Sequence, residues 1–328
     1  MSSFGRGLAG ALAACCIVGG TAVACSIFSV SIGDRVLFGN NVDDGNPNTF
    51  YEVVPAEDEG DLGFITLGFN DPQGGLNEAG LAFDTNAVPA SPLTPNPGLP
   101  RHPAGTVGIA VEMLRRAATV DEALAIARSY DWGEELRNQW LFADATGDAV
   151  VISAGSDGEL AFTRKAPGDG FLISTNINRD REAMLRFCWR YRTIDRSLGR
   201  LLDRGKLSVD AVSKTLDAAH QEAVFLRDGV LLNTVYSNVF DLRTREITLV
   251  YWFQFDEPLT LRLEDELAKG AKRVRIRDLF PRELVLRVEE INAAHLERID
   301  RWRTFPWLST GVALAVIAAI VGWALLRD

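Results

Sequence analysis

The chain has 328 residues, 47% of them hydrophobic and 24% charged, with a formal net charge of −10. That length and composition suit a globular chain with a sizeable core and exclude a disordered or collagen-like one. The acidic balance, with no dense basic patch on the main body, argues against a nucleic-acid partner.

The first element is a leader. Arg6 lies in a short n-region, an apolar run follows from Gly7 to Gly20, and Ala22-x-Ala24 supplies a small-residue cleavage box. This order predicts a secretory signal peptide over residues 1–24. Cleavage after Ala24 would make Cys25 the first residue of the mature chain, joining a thiol to a free α-amine. Such an amine has a pKa of about 7.7–8.0, so part of it is a neutral base at pH 7. A nucleophile activated by an N-terminal amine is a known catalytic device. Two other readings stand beside this one. Cys25 can be an arbitrary residue after the box, or a lipidated cysteine, although Ala22 occupies the position where lipoprotein signals usually have Leu. Of the four cysteines, Cys15 and Cys16 fall in the leader. If Cys25 is a working thiol, Cys188 has no partner, the domain is held by its core alone, and Cys188 reads as a packed helix residue.

After Cys25 the pattern alternates. Residues 26–31 and 35–40 predict two strands joined by a hairpin turn at Gly33-Asp34. The polar cluster Asn40-Asn41-Val42-Asp43-Asp44-Gly45-Asn46 follows. It reads either as an Asn/Asp-rich turn or as a carboxylate and amides set one hairpin away from the Cys25 amine. Residues 51–56 and 62–69 predict further strands, and 74–86 a turn running into a strand that ends in Asn86. Residues 88–103 hold six of the thirteen prolines and predict a stiff loop, for binding or simple crossover. Helices are expected over 106–117 and 120–129, the second started by Thr119-Val120-Asp121-Glu122. Strands follow over 138–143, 148–154, 160–164 and 170–176, the last finishing in Asn176. Helices over 180–202 and 208–220 precede a last hairpin, 231–242 with 246–255. This order suggests two antiparallel sheets with helices outside.

Beyond residue 256 the composition shifts. Residues 257–304 are charged and predict a helical stalk. Residues 308–326 carry no charge, with Trp307 and Trp323 toward their ends. Such a run is long enough to cross a hydrocarbon core of about 30 Å. The expectation is therefore a transmembrane helix over 305–326, a two-residue cytoplasmic tail (327–328), and a main domain anchored outside the cytoplasm, periplasmic or at the cell surface.

Four segments together resemble the N-terminal-nucleophile (Ntn) hydrolases of the choloylglycine hydrolase and penicillin V acylase superfamily, most closely the isopenicillin-N acyltransferase-like linear amide hydrolases. They are Cys25-Ser26-Ile27-Phe28, Leu37-Phe38-Gly39-Asn40-Asn41-Val42-Asp43, Gly75-Leu76-Asn77-Glu78-Ala79-Gly80-Leu81 with Asn86, and Leu172-Ile173-Ser174-Thr175-Asn176. Asn233-Thr234-Val235-Tyr236-Ser237 with Asp241 is similar to the family's late hairpin. The resemblance covers residues 25–255.

It implies an α+β fold, a four-layer αββα sandwich of two antiparallel sheets, here followed by the transmembrane helix. It implies cleavage of a linear, non-peptide acyl amide through a Cys25 thioester, with no cofactor and no metal. Cys25 would be nucleophile and, through its amine, base. Asp43 would orient the amine, and Asn176 and Asn86 would stabilise the oxyanion; preorganised neutral donors there are worth about 10²–10³ in rate each. Asn40 and Asn41 are the candidate substrate contacts. Asn40 departs from the Arg of the bile-salt and penicillin V enzymes, which disfavours bile-salt hydrolysis. The family's late Arg has no match by pattern. His102, His220 and His295 read as structural. The expected partner is a small N-acyl amide, lipophilic if the site sits near a bilayer, with no nucleic acid; a homo-oligomer is open. Acyl transfer to an amine, and a non-catalytic lipidated surface protein, are the alternatives.

Overall fold

The computed structural model describes residues 25–304 apart from 167, 223 and 226–230. In chain order its strands and helices are β1 (Ser26–Ile32), β2 (Arg35–Asp44), β3 (Phe50–Val54), β4 (Phe64–Gly68), β5 (Pro72–Asn77), β6 (Ala82–Pro92), α1 (Gly105–Arg116) and α2 (Val120–Ala127). Then come β7 (Glu135–Ala143), β8 (Ala149–Ala154), β9 (Leu160–Arg164), β10 (Phe171–Ser174), α3 (Glu182–Leu185), α4 (Trp189–Arg204) and α5 (Val209–Asp217). The rest are β11 (Val224–Phe225), β12 (Leu231–Asp241), β13 (Glu246–Tyr251), β14 (Leu259–Arg262), α6 (Leu263–Ala268), β15 (Lys272–Arg275) and α7 (Arg282–Thr304).

The strands form two antiparallel sheets. One runs β10-β1-β2-β12-β13-β14 with β11 added to β12, and the other runs β15-β3-β4-β5-β6-β7-β8-β9. Alternation along each strand decides what fills the layers. From β1 and β2, Ile27, Val36 and Phe38 meet Tyr51, Ile65, Leu67 and Leu141 of the opposite sheet, forming the core between the sheets. Their neighbours Phe28, Val30 and Leu37 face the other way and pack on Ile194 and Leu198 of α4 and Val212 and Leu216 of α5. On the second sheet, Phe64, Phe83, Phe142 and Val150 face Ile109, Met113 and Leu114 of α1 and Leu124 of α2. Strand β2 is therefore buried on both sides along almost its whole length.

Local chemistry explains the ends of several elements. Gly33, at φ 61°, makes the β1–β2 turn expected from the sequence. The Thr119 hydroxyl accepts the Glu122 N–H and the Glu122 carboxylate accepts the Ala118 N–H, which starts α2. Strand β6 enters the proline-rich segment and reaches Pro92. Its pairing to β7 slips between Ala87 and Ser91 and then resumes, which takes Pro89 out of the ladder.

Three expectations need correction. The helix expected over 180–202 is broken. Cys188, at φ −79° and ψ 115°, is extended and stands before the first turn of α4 instead of packing inside a helix. The segment expected as a stalk packs with the sandwich: β14 extends one sheet beside β13, β15 extends the other beside β3, and Leu284, Val285 and Val288 of α7 are buried in the core between the sheets. The expected transmembrane helix is withdrawn, and with it the membrane partner and the anchored localisation. Among the described residues no helix is long and apolar enough to cross a membrane. The leader at 1–24, the run at 305–326 and the tail at 327–328 lie outside the described residues.

Candidate active site

Cys25 stands directly before β1, an interior strand between β10 and β2, and is 3% exposed. Its side chain joins the core between the sheets, on the same face as Ile27. The thiol pKa is pushed well up, first by burial, then by the charge of Asp43 and of Asp84; the Asp43 backbone N–H and Arg190 act in the opposite direction.

A continuous network holds the residue on its other side. The guanidinium of Arg190, in the first turn of α4, donates from Nη1 to the Cys25 carbonyl at 3.0 Å and to Asp43 Oδ2 at 3.3 Å. From Nη2 it donates to Asn176 Oδ1 at 2.8 Å, and Asn176 Nδ2 in turn donates to the Ala87 carbonyl at 2.8 Å. The Thr234 hydroxyl, from the strand facing β2, donates to the other oxygen of Asp43. Cys25, Asp43 and Asn176 are thus tied together through one arginine, and the chain of contacts ends one residue from Asn86.

Asp43 is fully buried, and burial pushes its pKa up to about 7 against the pull of Arg190 and Thr234. An unfolded Asp titrates near 3.9. Between about pH 4 and pH 7 the folded chain therefore holds a proton here that the unfolded chain has lost. Stability drawn from this group is present below about pH 4 and is lost as pH rises to about 7. We expect the unfolding free energy of the wild type, measured by denaturant titration relative to Asp43→Asn, to fall across that window. A difference that rises with pH, or stays flat, would contradict it.

The inner face of the site is built from amides. Asn40 of β2 donates from Nδ2 to Asp84 Oδ2 at 2.6 Å and, more weakly, to Asn238 Oδ1 at 3.4 Å. Asn86 of β6 is fully buried, and among the described residues neither its Nδ2 nor its Oδ1 has a hydrogen-bond partner. Asn41 is brought elsewhere. It points to the helical layer, where Nδ2 donates to the Leu216 carbonyl at 2.8 Å and Oδ1 accepts from Ser237 at 2.7 Å. Its amide is taken up in docking α5.

Sequence reasoning missed three groups. Arg190 shares the buried face of α4 with Ile194 and Leu198, a four-residue spacing that sets a cation in an apolar stripe. Asp84 sits two residues before Asn86 on the same face of β6. Thr234 stands opposite Asp43 in the β2–β12 register. The three histidines lie elsewhere: His102 near Glu112, His220 near Asp217 and His295 near Glu222. Among the described residues no group of three His, Cys, Asp or Glu side chains is placed to hold a metal ion.

One cavity lies beside this region and another lies away from it. The first, of about 240 Å³, is lined by Asp44, Asn233, Val235, Trp252 and, from α7, Asn292 and Leu296, beside the chain at Asp43 and Thr234. The other, of about 820 Å³, lies at the far end of β1, around Ser31, Gly147 and Lys165.

The architecture is similar to that of solved hydrolases. Two structures of conjugated bile acid hydrolase from Clostridium perfringens, both of altered forms, match at TM-scores of 0.61 and 0.60. Each is 12% identical over 76% of this chain and 96% of the other. Penicillin V acylase from Agrobacterium tumefaciens matches at a TM-score of 0.57 and 16% identity, over 69% of this chain and 82% of the other. No protein-family model and no curated protein matches the chain by sequence. The fold is thus shared with these bile acid hydrolase and penicillin V acylase structures, and at these identities the likeness is one of fold alone.

Proposed function

We propose that the protein is a thiol hydrolase of linear, non-peptide amides, with Cys25 as nucleophile. One observation carries the reading. A buried cysteine stands at the head of an interior strand, and a single guanidinium links its carbonyl to a buried carboxylate and an asparagine. The related fold supports it.

In this reading cleavage after Ala24 frees the Cys25 α-amine. The amine takes the thiol proton as Sγ attacks the substrate carbonyl carbon. The C=O electron pair moves to oxygen, and amide N–H groups of Asn86 and Asn176 stabilise the oxyanion. Collapse of the intermediate breaks the C–N bond; the leaving amine receives the proton from the Cys25 ammonium, and a Cys25 thioester remains. Water, deprotonated by the same amine, releases the carboxylic acid and restores the thiol. Asp43, fixed by Arg190 and Thr234, favours the ammonium while it exists.

Intact-mass analysis of the exported protein, with an acid quench during turnover of an N-acyl amide, tests this. The expected result is a chain beginning at Cys25 and a transient acyl adduct on that residue. A mature chain that begins elsewhere, or that carries a blocked Cys25 nitrogen, would overturn the reading.

A further inference from the structure

The inner face of the site has a charge character that the nucleophile and its network do not use. Asp84 is fully buried on β6, with Ala82 before it and Asn86 after it on the face toward the other sheet. Its carboxylate accepts the Asn40 amide through Oδ2 and the Thr85 backbone N–H through Oδ1. The carboxyl lies flat on Gly74 of β5, where a Cβ would come within 2.2 Å of Oδ2. Glycine at that position is what gives the acid room.

Around it, fully buried polar atoms have no hydrogen-bond partner among the described residues: Asn40 Oδ1, both amide atoms of Asn86, the Tyr236 hydroxyl and Asn238 Nδ2. Asn40 and Asn238 are direct partners in the β2–β12 register, and Tyr236 shares the inner face of β12 with Asn238. The ionisable side chains here are Asp84, Tyr236 and the Cys25 thiol, none of them basic; burial first, then the charges of Asp84 and Cys25, pushes the Tyr236 hydroxyl pKa well up. Arg190 reaches Cys25 from the opposite side, where Asp43 and Asn176 occupy it.

Among the described residues no basic side chain stands beside Asp84, and burial pushes its carboxyl pKa well up; a cation that arrives with the ligand would hold it ionised, whereas an anion would find no partner there. An ammonium brings three N–H donors. Asn40 Oδ1, Asn86 Oδ1, the Tyr236 oxygen and the carboxylate offer it acceptors, while Asn86 Nδ2 is left for the oxyanion. We propose that this buried polar cluster is a specificity subsite for a protonated amine, with Asp84 as counter-ion, so that the preferred substrates are amides carrying an ammonium group near the scissile bond. The proposal rests on Cys25 being the working thiol and extends that reading to substrate class.

Charge selection at Cys25 can be read without any amide turnover. The mature protein is treated with aminoethyl, ethyl and sulfonatoethyl methanethiosulfonate, and modification of Cys25 is followed by peptide mass, which separates it from Cys188. The cationic reagent is expected to outpace the neutral one by about tenfold or more, with the anionic reagent slowest. In Asp84→Asn the cationic-to-neutral ratio should fall toward one. The ratio cancels any change in thiol pKa or local fold, since these act on all reagents alike. An unchanged ratio overturns the proposal, as does an equal fall with all three reagents, which would make Asp84 a partner of the Cys25 amine itself. Silence of Cys25 toward every reagent overturns it too. The hydrolase reading fails on a different result, the missing acyl adduct, which leaves this series intact.

Discussion

Cys25→Ala is expected to lower amide turnover by at least about 10⁴-fold, as loss of a catalytic nucleophile does elsewhere, while the protein is exported and folds. The substitution removes one buried sulfur atom. It creates a small void in the core between the sheets, at a cost of about 1–2 kcal/mol by analogy with other small core truncations. The backbone contacts survive, because Arg190 grips the Cys25 carbonyl and not its side chain. Activity and stability should therefore separate in this variant. Cys25→Ser, which keeps the shape and replaces sulfur with a weaker nucleophile, should fall between the two. Ser26 is the adjacent hydroxyl, fully buried and without a hydrogen-bond partner among the described residues. As the next residue on the strand it faces the helical layer, so it is no substitute. Hydrolysis assays paired with thermal melts decide the matter, and wild-type turnover by Cys25→Ala would end the case for a cysteine mechanism.

Arg190→Ala should have the largest effect on stability of any single change in the site, about 3–5 kcal/mol, the range seen when one member of a buried ion pair is removed. Arg190 is 9% exposed and Asp43 not at all, so solvent cannot take over the lost contact. Three acceptors on three different elements lose their donor at once: the Cys25 carbonyl, the Asp43 carboxylate and the Asn176 amide oxygen. Arg190→Lys should recover little, because a single ammonium cannot reproduce the planar fork that spans them. The double variant Arg190→Ala with Asp43→Asn removes the stranded acid as well. It should be more stable than the sum of the single changes predicts, and a double-mutant cycle by denaturant titration measures that coupling. Strict additivity would mean that the pair is incidental to the fold.

Much of the site was legible because strands betray their faces by parity. The segment from Cys25 to Asp43 alternates cleanly enough to predict a hairpin, and Gly33-Asp34 marks its turn. The spacing between Asn86 and Asn176 says nothing of their approach; that depends on β10 pairing with β1 and on Asn176 reaching the Ala87 carbonyl across the sheets. Arg190 was hidden for a different reason. Helical periodicity runs almost unbroken from 180 to 202, so the break at Cys188 leaves no mark, and it is that break which begins a new helix with Arg190 in its first turn. The packing of residues 259–288 was equally opaque. Their charged, intermittently apolar pattern is what an edge strand and an amphipathic helix share with a solvated stalk. Asn41 shows the limit of reasoning by neighbourhood: adjacent to Asn40 in sequence, it faces the other side of the sheet and another task.

That opposition of faces bears on how such a protein can change over time. In β2, Asn40 and Asp43 differ by an odd number of positions and so serve different sides, and the irregularity in β12 between Thr234 and Tyr236 lets that strand do the same. The residues that hold Cys25 in place and the buried polar residues of the inner face thus lie on the same strands but on opposite sides of them. A lineage can rewrite the inner positions for a new ligand while the outer ones stay fixed, without moving a single backbone hydrogen bond. A shared architecture at 12–16% identity is the natural outcome of that freedom.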